Sequence, residues 1–485
     1  MNIFPNSLSG FKAFDALSQI FDFPHMLALA KECGLVIRNR KIKPLLVLKA
    51  YLEETNGERC VSMSAVWLRY NLLCGLSGAP EVTENAFTSF MSRVRFQKFL
   101  EELLKEVAAK LGDHSFSNTA GAVEALAERL GSLRDIIAQD GTEVAANPQA
   151  AKRDPKAFKA KDGAAALKMH AAWSLRTSSL AASSITSAVS SERDEIQCQA
   201  LDGKLILCDA GYPSIKLLGK LSGQGTLFLL KMKSSLKPSV LSCTPFSDGK
   251  YGKSIDFGGE RVKLKDDPRL GGQRSYDCVV SYERKGKAPL ILRVVKVFNP
   301  HFCGLSTSRD LEGHEELSLS DGYCYLVTNI PASQLDAAQL YSTYRLRWNA
   351  ERQFMALKSG CAFNAGKAIK EEAAKNLLRL STAAHQLKAA MAGAFSSMLG
   401  GKALSLYKVA KYSGCLVNMV LDRVLGVAGD AALLPEPDFE QLMLGAYGRL
   451  GVSRLSASNR ALGKGVECTV QELQRPPSPG GPSLA

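Results

Sequence analysis

The chain reads as an α/β protein: a mixed sheet flanked by helices, with helical regions at both ends and a β-rich, basic stretch between. Three observations predict this. Apolar residues recur at helical spacing on the amino-terminal side, as at Phe11, Phe14, Leu17 and Phe21. From Leu133 the pattern changes to short apolar runs bounded by turn residues, each of strand length. After Ser333 helical periodicity returns and holds to about Leu444. Strands alternating with helical segments indicate a mixed α/β sheet.

In the first region, to about Arg129, Met26, Leu29 and Ala30 continue the helical spacing. Arg38, Arg40, Lys41 and Lys43 cluster just before an apolar helix over Pro44–Tyr51, and Thr83-Glu84-Asn85 opens another helix carrying Arg93, Arg95 and Lys98. Taken alone, these charges read as a solvated face, the ordinary fate of charge runs; the competing reading is a helical DNA-binding domain. Leu133–Ala138 is a buried-strand run that ends in Gln139-Asp140-Gly141-Thr142. Ala164–Leu175 and Leu180–Ala188 follow as strands split by a turn at 176–179. The clearest strand is Lys204-Leu205-Ile206-Leu207-Cys208, which runs straight into Asp209-Ala210-Gly211-Tyr212.

From Gly223 to about Asp321 the pattern is β-rich, with turns at Asp248-Gly249, Gly258-Gly259 and Gly271-Gly272 and strands over Leu290–Phe298 and Tyr323–Thr328. Lys231, Lys233, Lys237, Lys250, Lys253, Arg261, Lys263 and Lys265 make this segment positive. The final Arg475-Pro476-Pro477-Ser478-Pro479-Gly480-Gly481-Pro482 is expected to be a disordered tail.

With 485 residues, two or more domains are expected. Lys and Arg number 61 against 47 Asp and Glu, a formal charge of +14 that suggests a polyanionic partner. The 12 cysteines are scattered singly, without a Cys-x-x-Cys pair or zinc spacing. With no signal-peptide pattern at the start, they read as reduced, mostly buried thiols of a cytosolic protein. No apolar run has the length of a membrane span.

Two acids stand where strands end. Acids at the carboxyl ends of adjacent strands converge on the sheet edge where open α/β folds bind ligands. Asp140 and Asp209 occupy such positions, although a single strand-end Asp before Gly is more often a turn or cap. Clustered carboxylates repel unless a cation neutralises them, and Mg²⁺ prefers a few carboxylates plus phosphate. Further on, Tyr344-Arg345-Leu346-Arg347-Trp348-Asn349-Ala350-Glu351-Arg352-Gln353-Phe354-Met355-Ala356-Leu357-Lys358 contains no Gly or Pro and reads as one helix. At about 100° per residue, Tyr344, Arg347, Glu351 and Lys358 fall within roughly 60° of one another. That column joins a carboxylate to groups that bind phosphate: Arg347 as a bidentate fork, Lys358 as a point charge and Tyr344 as a hydroxyl donor. The plainer reading is intrahelical pairing of Glu351 with Arg347 or Lys358, worth only ~0.3 kcal/mol.

These residues resemble one branch of bacterial insertion-sequence transposases, the insertion-sequence type 4 family, whose signature is Tyr–Arg–Glu–Lys at this spacing. Asp140-Gly141-Thr142, Lys168-Met169-His170, Asp209-x-Gly211-Tyr212 and Thr328-Asn329 are similar to further blocks of that branch. The resemblance covers roughly residues 130 to 365. It implies an RNase H-like mixed sheet flanked by helices and interrupted by a β-rich insertion. It implies Asp140, Asp209 and Glu351 as catalytic metal ligands for two Mg²⁺ ions, with Mn²⁺ as a substitute. Tyr344, Arg347, Lys358, Lys168 and His170 would be DNA contacts; His170 reads equally as a structural histidine. The expected partners are double-stranded DNA, as terminal inverted repeats and target, and a second copy of the chain on paired ends. The expected setting is the bacterial cytoplasm, at the nucleoid, with no membrane.

The activity implied is hydrolysis at the element end, followed by attack of the freed 3′-hydroxyl on target DNA. An RNase H-like nuclease without strand transfer and an inactive DNA-binding protein are the rivals. The resemblance also turns the basic amino-terminal region towards DNA binding. The expected division is then a DNA-binding domain over 1–129, the catalytic core over 130–222 and 323–375, the insertion over 223–322, a helical assembly region over 376–470 and the tail over 471–485. Some members of the branch stack a flipped base on a tryptophan of the insertion. Here the three tryptophans are Trp67, Trp173 and Trp348, all outside it, leaving Phe257 and Tyr276 as aromatic alternatives.

Overall fold

The computed structural model describes residues 23–36, 42–55, 61–111, 119–131, 133–160, 163–196, 203–232, 236–262, 267–270, 275–309, 315–364, 366, 368–402, 404–425, 436–451 and 466–484. The expected helix through Phe11–Phe21, the basic residues Arg38, Arg40, Lys41, Lys233, Lys263 and Lys265, and the Gly271-Gly272 turn lie outside them. In chain order the elements are α1 (Phe23–Glu32), α2 (Pro44–Glu54), α3 (Met63–Ser77), α4 (Glu84–Met91), α5 (Val94–Leu111), α6 (Ala120–Leu130), β1 (Asp135–Ala145), α7 (Pro148–Arg153), β2 (Ala166–Ser174), β3 (Leu180–Ser187), β4 (Lys204–Cys208), α8 (Ile215–Gly223) and β5 (Leu227–Lys231). They continue with β6 (Ser239–Ser247), β7 (Lys250–Tyr251), β8 (Ile255–Glu260), β9 (Ser275–Arg284), β10 (Lys287–Arg309), β11 (Glu315–Thr328), α9 (Ala337–Arg345), α10 (Trp348–Gly360), α11 (Glu371–Met398), α12 (Leu406–Tyr412), α13 (Gly414–Leu425), α14 (Glu436–Gly448) and α15 (Val466–Gln474). No helix among the described residues is long and apolar enough to cross a membrane.

Two compact units form, and they cut across the linear segments expected from the sequence. One comprises Met1–Asn118, Gly141–Ser190 and Asn349–Arg454; the other comprises Thr119–Asp140, Ser191–Trp348 and Leu455–Ala485.

The first unit is built around α11, which is buried along nearly its whole length. Its many Ala and Leu residues suit a core helix, its buried polar residues such as Asn376 and Lys388 find partners, and α2 is likewise buried from Pro44 to Leu52. Its one buried cation, Lys49, is paired with Glu53 at 2.5 Å and Asp422 at 2.6 Å. α4 starts where Thr83 predicts, the hydroxyl accepting from the Ala86 amide. Strands β2 and β3 form an antiparallel pair, with Lys168 opposite Thr186 and His170 opposite Ser184. The turn between them holds Ser178 at φ +53°.

The second unit is a mixed sheet. β1 and β4 run parallel, as do β4 and β5, and the order continues β5-β11-β10-β9-β6-β7, with β8 on β6. A β1-β4-β5 parallel set, together with the β2–β3 antiparallel pair, is the strand complement of an RNase H-like fold. The β-rich insertion therefore prolongs the core sheet through antiparallel pairing of β11 with β5. β5 itself, counted with the insertion on sequence, is a core strand.

Two expectations about this unit are corrected. The antiparallel register of β6 and β9 sets Cys243 opposite Cys278, and the two form a disulfide; a separation of 35 residues hides that juxtaposition in the sequence. The tail is also packed. Ser478 donates from its amide and its hydroxyl to Asp336 at 3.1 Å, and Gly481 lies so close to Tyr251 and Ala332 that a Cβ would collide with both. Fixed Pro φ values lower the entropy lost on docking such a segment. α15 precedes it, and Gln339 donates to the carbonyls of Glu472 and Arg475.

Candidate functional site

In the second unit the β1–β4 register runs from Asp135↔Lys204 to Ala138↔Leu207. Asp140 lies two residues beyond the last paired position of β1, and Asp209 directly follows the last residue of β4. β1 itself continues to Ala145, so Asp140 marks the end of the pairing with β4 and not, as expected, the end of the strand. The two carboxylates share one electrostatic neighbourhood. The thiol of Cys208, buried at the end of β4, is pushed well up by burial first and then by the charge of Asp140, with Arg347 opposing and Asp209 adding to it. Tyr212 is pushed up the same way, mainly by burial.

Arg347 and Lys231 compensate these charges. Arg347, 7% exposed, places Nη1 3.0 Å from Asp140 Oδ2. Lys231 Nζ stands 4.0 Å from Asp209 Oδ1, and the Tyr344 hydroxyl donates to the same oxygen at 3.4 Å. Burial raises the Tyr344 phenol above its usual range, so it stays a donor. Lys231 was legible only as part of a positive surface. Its position as the last residue of β5, beside β4, is the signal that assigns it to the sheet edge with the acids. Asp140 and Asp209 are hard oxygen donors, and the neighbouring Cys208 is held as a neutral thiol by burial, a donor set that fits a hard divalent cation. Among the described residues no three His, Cys, Asp or Glu side chains are grouped so as to hold a metal ion.

The signature stretch is not one helix. α9 ends at Arg345, the Leu346 and Arg347 amides make tight bonds to Thr343 O and Tyr344 O, and α10 begins at Trp348. No Gly or Pro marks the break. It occurs where Tyr344 and Arg347 turn their polar ends to Asp209 and Asp140. Tyr344 and Arg347 therefore do not share one regular helix with Glu351 and Lys358, and Arg347 is bound to Asp140.

In the first unit Glu351 sits half-exposed in the first turn of α10, the end of a helix that favours an acid. Lys358 Nζ donates to Glu143 O at 3.2 Å, and partial burial lowers its pKa against the pull of Glu143. Lys168 Nζ stands 3.9 Å from the Glu143 carboxylate. Glu143, three residues after Asp140 and indistinguishable in the sequence from an ordinary surface acid, ties the two lysines together. A cleft of about 680 Å³ opens beside it, lined by residues 143–148, Lys358 and Phe363.

His170, expected to contact DNA, is 1% exposed and bonds through Nε2 to Thr186 at 2.9 Å. It takes the structural role, in a strand buried on both faces from Met169 to Ser174. In the second unit, Phe257 and Tyr276 are buried, Phe257 under the Arg269 guanidinium, and neither presents a face for a base. Thr328 and Asn329 tie β5 to the end of β11: the Thr328 hydroxyl donates to Phe228 O, and the Asn329 side chain bonds to Phe228 N and Thr226 O.

A family model described as transposase DDE domain matches residues 131–387. The transposase for insertion sequence element IS1151 of Clostridium perfringens is 25% identical over 299 residues, which cover 57% of this chain and 60% of that protein. The chain thus spans less than two thirds of that relative's length.

Proposed function

Since the chain belongs to the transposase DDE domain family, we propose that it cleaves the ends of a mobile DNA element and joins them to target DNA. The observation that carries this is the pair Asp140 and Asp209 just beyond the last paired residues of the parallel strands β1 and β4, charge-balanced by Arg347 and Lys231. We assign Glu351 as the third acid, and the three would hold two Mg²⁺ or Mn²⁺ ions. Bound there, the ions would neutralise the acids, activate the attacking oxygen and stabilise the leaving one.

The rest falls to the protein. Arg347, released from Asp140 when the acids are neutralised, takes a phosphate oxygen. Tyr344 donates its phenolic hydrogen, and Lys358 and Lys168 clamp the phosphates flanking the scissile bond. The basic amino-terminal helices and the insertion bind the element ends, and the carboxy-terminal helices join two copies into a dimer on paired ends. The branch is that of the Tyr–Arg–Glu–Lys signature, and the place of action is the bacterial nucleoid.

The test uses linear DNA ending in the inverted repeats that flank the gene. With Mg²⁺ or Mn²⁺ the full chain should cut at the repeat ends and join the 3′ ends to a target plasmid, and EDTA should stop both reactions. Cutting without joining in any condition would leave a nuclease, and binding without cutting would leave a DNA-binding protein.

Lys358→Ala should lower the slope of log affinity against log salt by about one, with little change in melting temperature. Arg347→Ala should lower the slope equally but also cost stability, because it strips Asp140 of its buried partner. Unchanged slopes in both would remove them from the DNA surface.

A further inference from the structure

The helix that carries Glu351 is held from behind by directional bonds. Ala350, Gln353, Phe354, Leu357 and Gly360 form the buried face of α10. An apolar face alone would hold the helix without specifying its rotation or its height along its axis. Here Gln353 Oε1 accepts from His385 Nε2 at 2.6 Å, while Gln353 Nε2 donates to Ser178 O at 3.3 Å in the β2–β3 turn. Trp173 meets both Phe354 and His385 in T-shaped contacts, with ring centroids 6.1 and 6.0 Å apart.

At the far end of α10, Lys388 Nζ donates to Gly360 O and to Ala410 O, both at 2.8 Å. Gly360 O is among the carbonyls that a helix terminus leaves unpaired, where a cation is favoured. Gly360 also abuts the backbone of Ala410 and Lys411 so closely that any Cβ would collide. His385 and Lys388 are three residues apart on α11 and face α10 together. Both are fully buried, a costly placement for an imidazole and an ammonium.

We propose that His385 and Lys388 are positioning residues. The His385–Gln353 bond sets the rotation of α10, the Lys388–Gly360 bond sets its axial position, and together they place the Glu351 carboxylate. The inference rests on the reading of Glu351 as the third acid. Misplacing a reacting group by about 1 Å can cost about 10²-fold in rate, so the clamp should act on turnover and not on DNA affinity.

The test compares Lys388→Met and the double variant Gln353→Met/His385→Leu, which removes both polar partners, with the wild-type chain. Amide hydrogen exchange over residues 349–361, DNA affinity, and cleavage at saturating DNA across a Mg²⁺ titration are measured. Exchange in α10 should rise about tenfold while the remainder of α11 keeps its protection, cleavage should fall about 10²-fold, and DNA affinity should hold. The double variant keeps the test open should Lys388→Met not fold. Wild-type exchange in α10, or faster exchange with unchanged cleavage, overturns the proposal. Glu351→Gln, run alongside, separates the two ideas: cleavage that survives in it overturns the assignment of Glu351, whereas cleavage lost in it but intact in the clamp variants overturns the clamp alone.

Discussion

Replacing Asp209 by Asn is expected to lower DNA cleavage by a factor on the order of 10³, the equivalent of the several kcal/mol that a metal site contributes to a phosphoryl transition state. Binding to the element ends should persist, since the change removes a negative charge from a surface that must accept phosphates. Stability should hardly change. Asp209 is 44% exposed, its Lys231 partner is 4.0 Å away, and exposed pairs at such distances contribute little. A single-turnover cleavage assay beside a thermal melt makes the comparison. Cleavage by the variant within tenfold of wild type would remove Asp209 from the active site, and a collapse of the melt would assign it to the fold.

The second large effect lies in the insertion. Asp277 and Arg293, both 0% exposed, face each other across β9 and β10, with Arg293 Nε 2.7 Å and Nη2 2.5 Å from the carboxylate oxygens. Arg293 Nη1 also donates to Ile330 O and Leu335 O, and the Tyr251 hydroxyl donates to Asp277 and accepts from the Ala337 amide. The ion pair thus anchors the start of α9, the helix that carries Tyr344. Asp277→Ala strands a buried guanidinium, a loss of about 3–5 kcal/mol, and should lower the melting temperature of the second unit by ~10 °C. Calorimetry reads this directly. A shift under about 2 °C would mean that water or rearrangement satisfies Arg293 in the variant.

The two carboxylates of the site were legible because each follows a short apolar run. Leu205–Cys208 is too short for a helix and too apolar for a loop, so the acid after it had to lie at a strand end. Glu351 and Lys358 were proposed from helical spacing, and the structure keeps that spacing only within α10; the helix start at Thr83 was legible from cap chemistry. Lys231 and Glu143 were not. Each matters through a neighbour far off in the chain, and neither stands in a pattern that differs from an ordinary surface charge.

What the chain determines by itself is therefore local: where apolar periodicity changes, which residues cap, and which acids end runs. Tertiary structure decided the rest. It broke the signature stretch between Arg345 and Trp348, where Tyr344 and Arg347 reach Asp209 and Asp140, although the segment holds no Gly or Pro. It turned His170 inward, joined Cys243 to Cys278, merged the insertion into the core sheet and docked Ser478 on Asp336. Each of these depends on pairing between residues distant in sequence. Its free energy comes from desolvation and from contacts that exist only once the sheet has formed, so no periodicity within one segment records it.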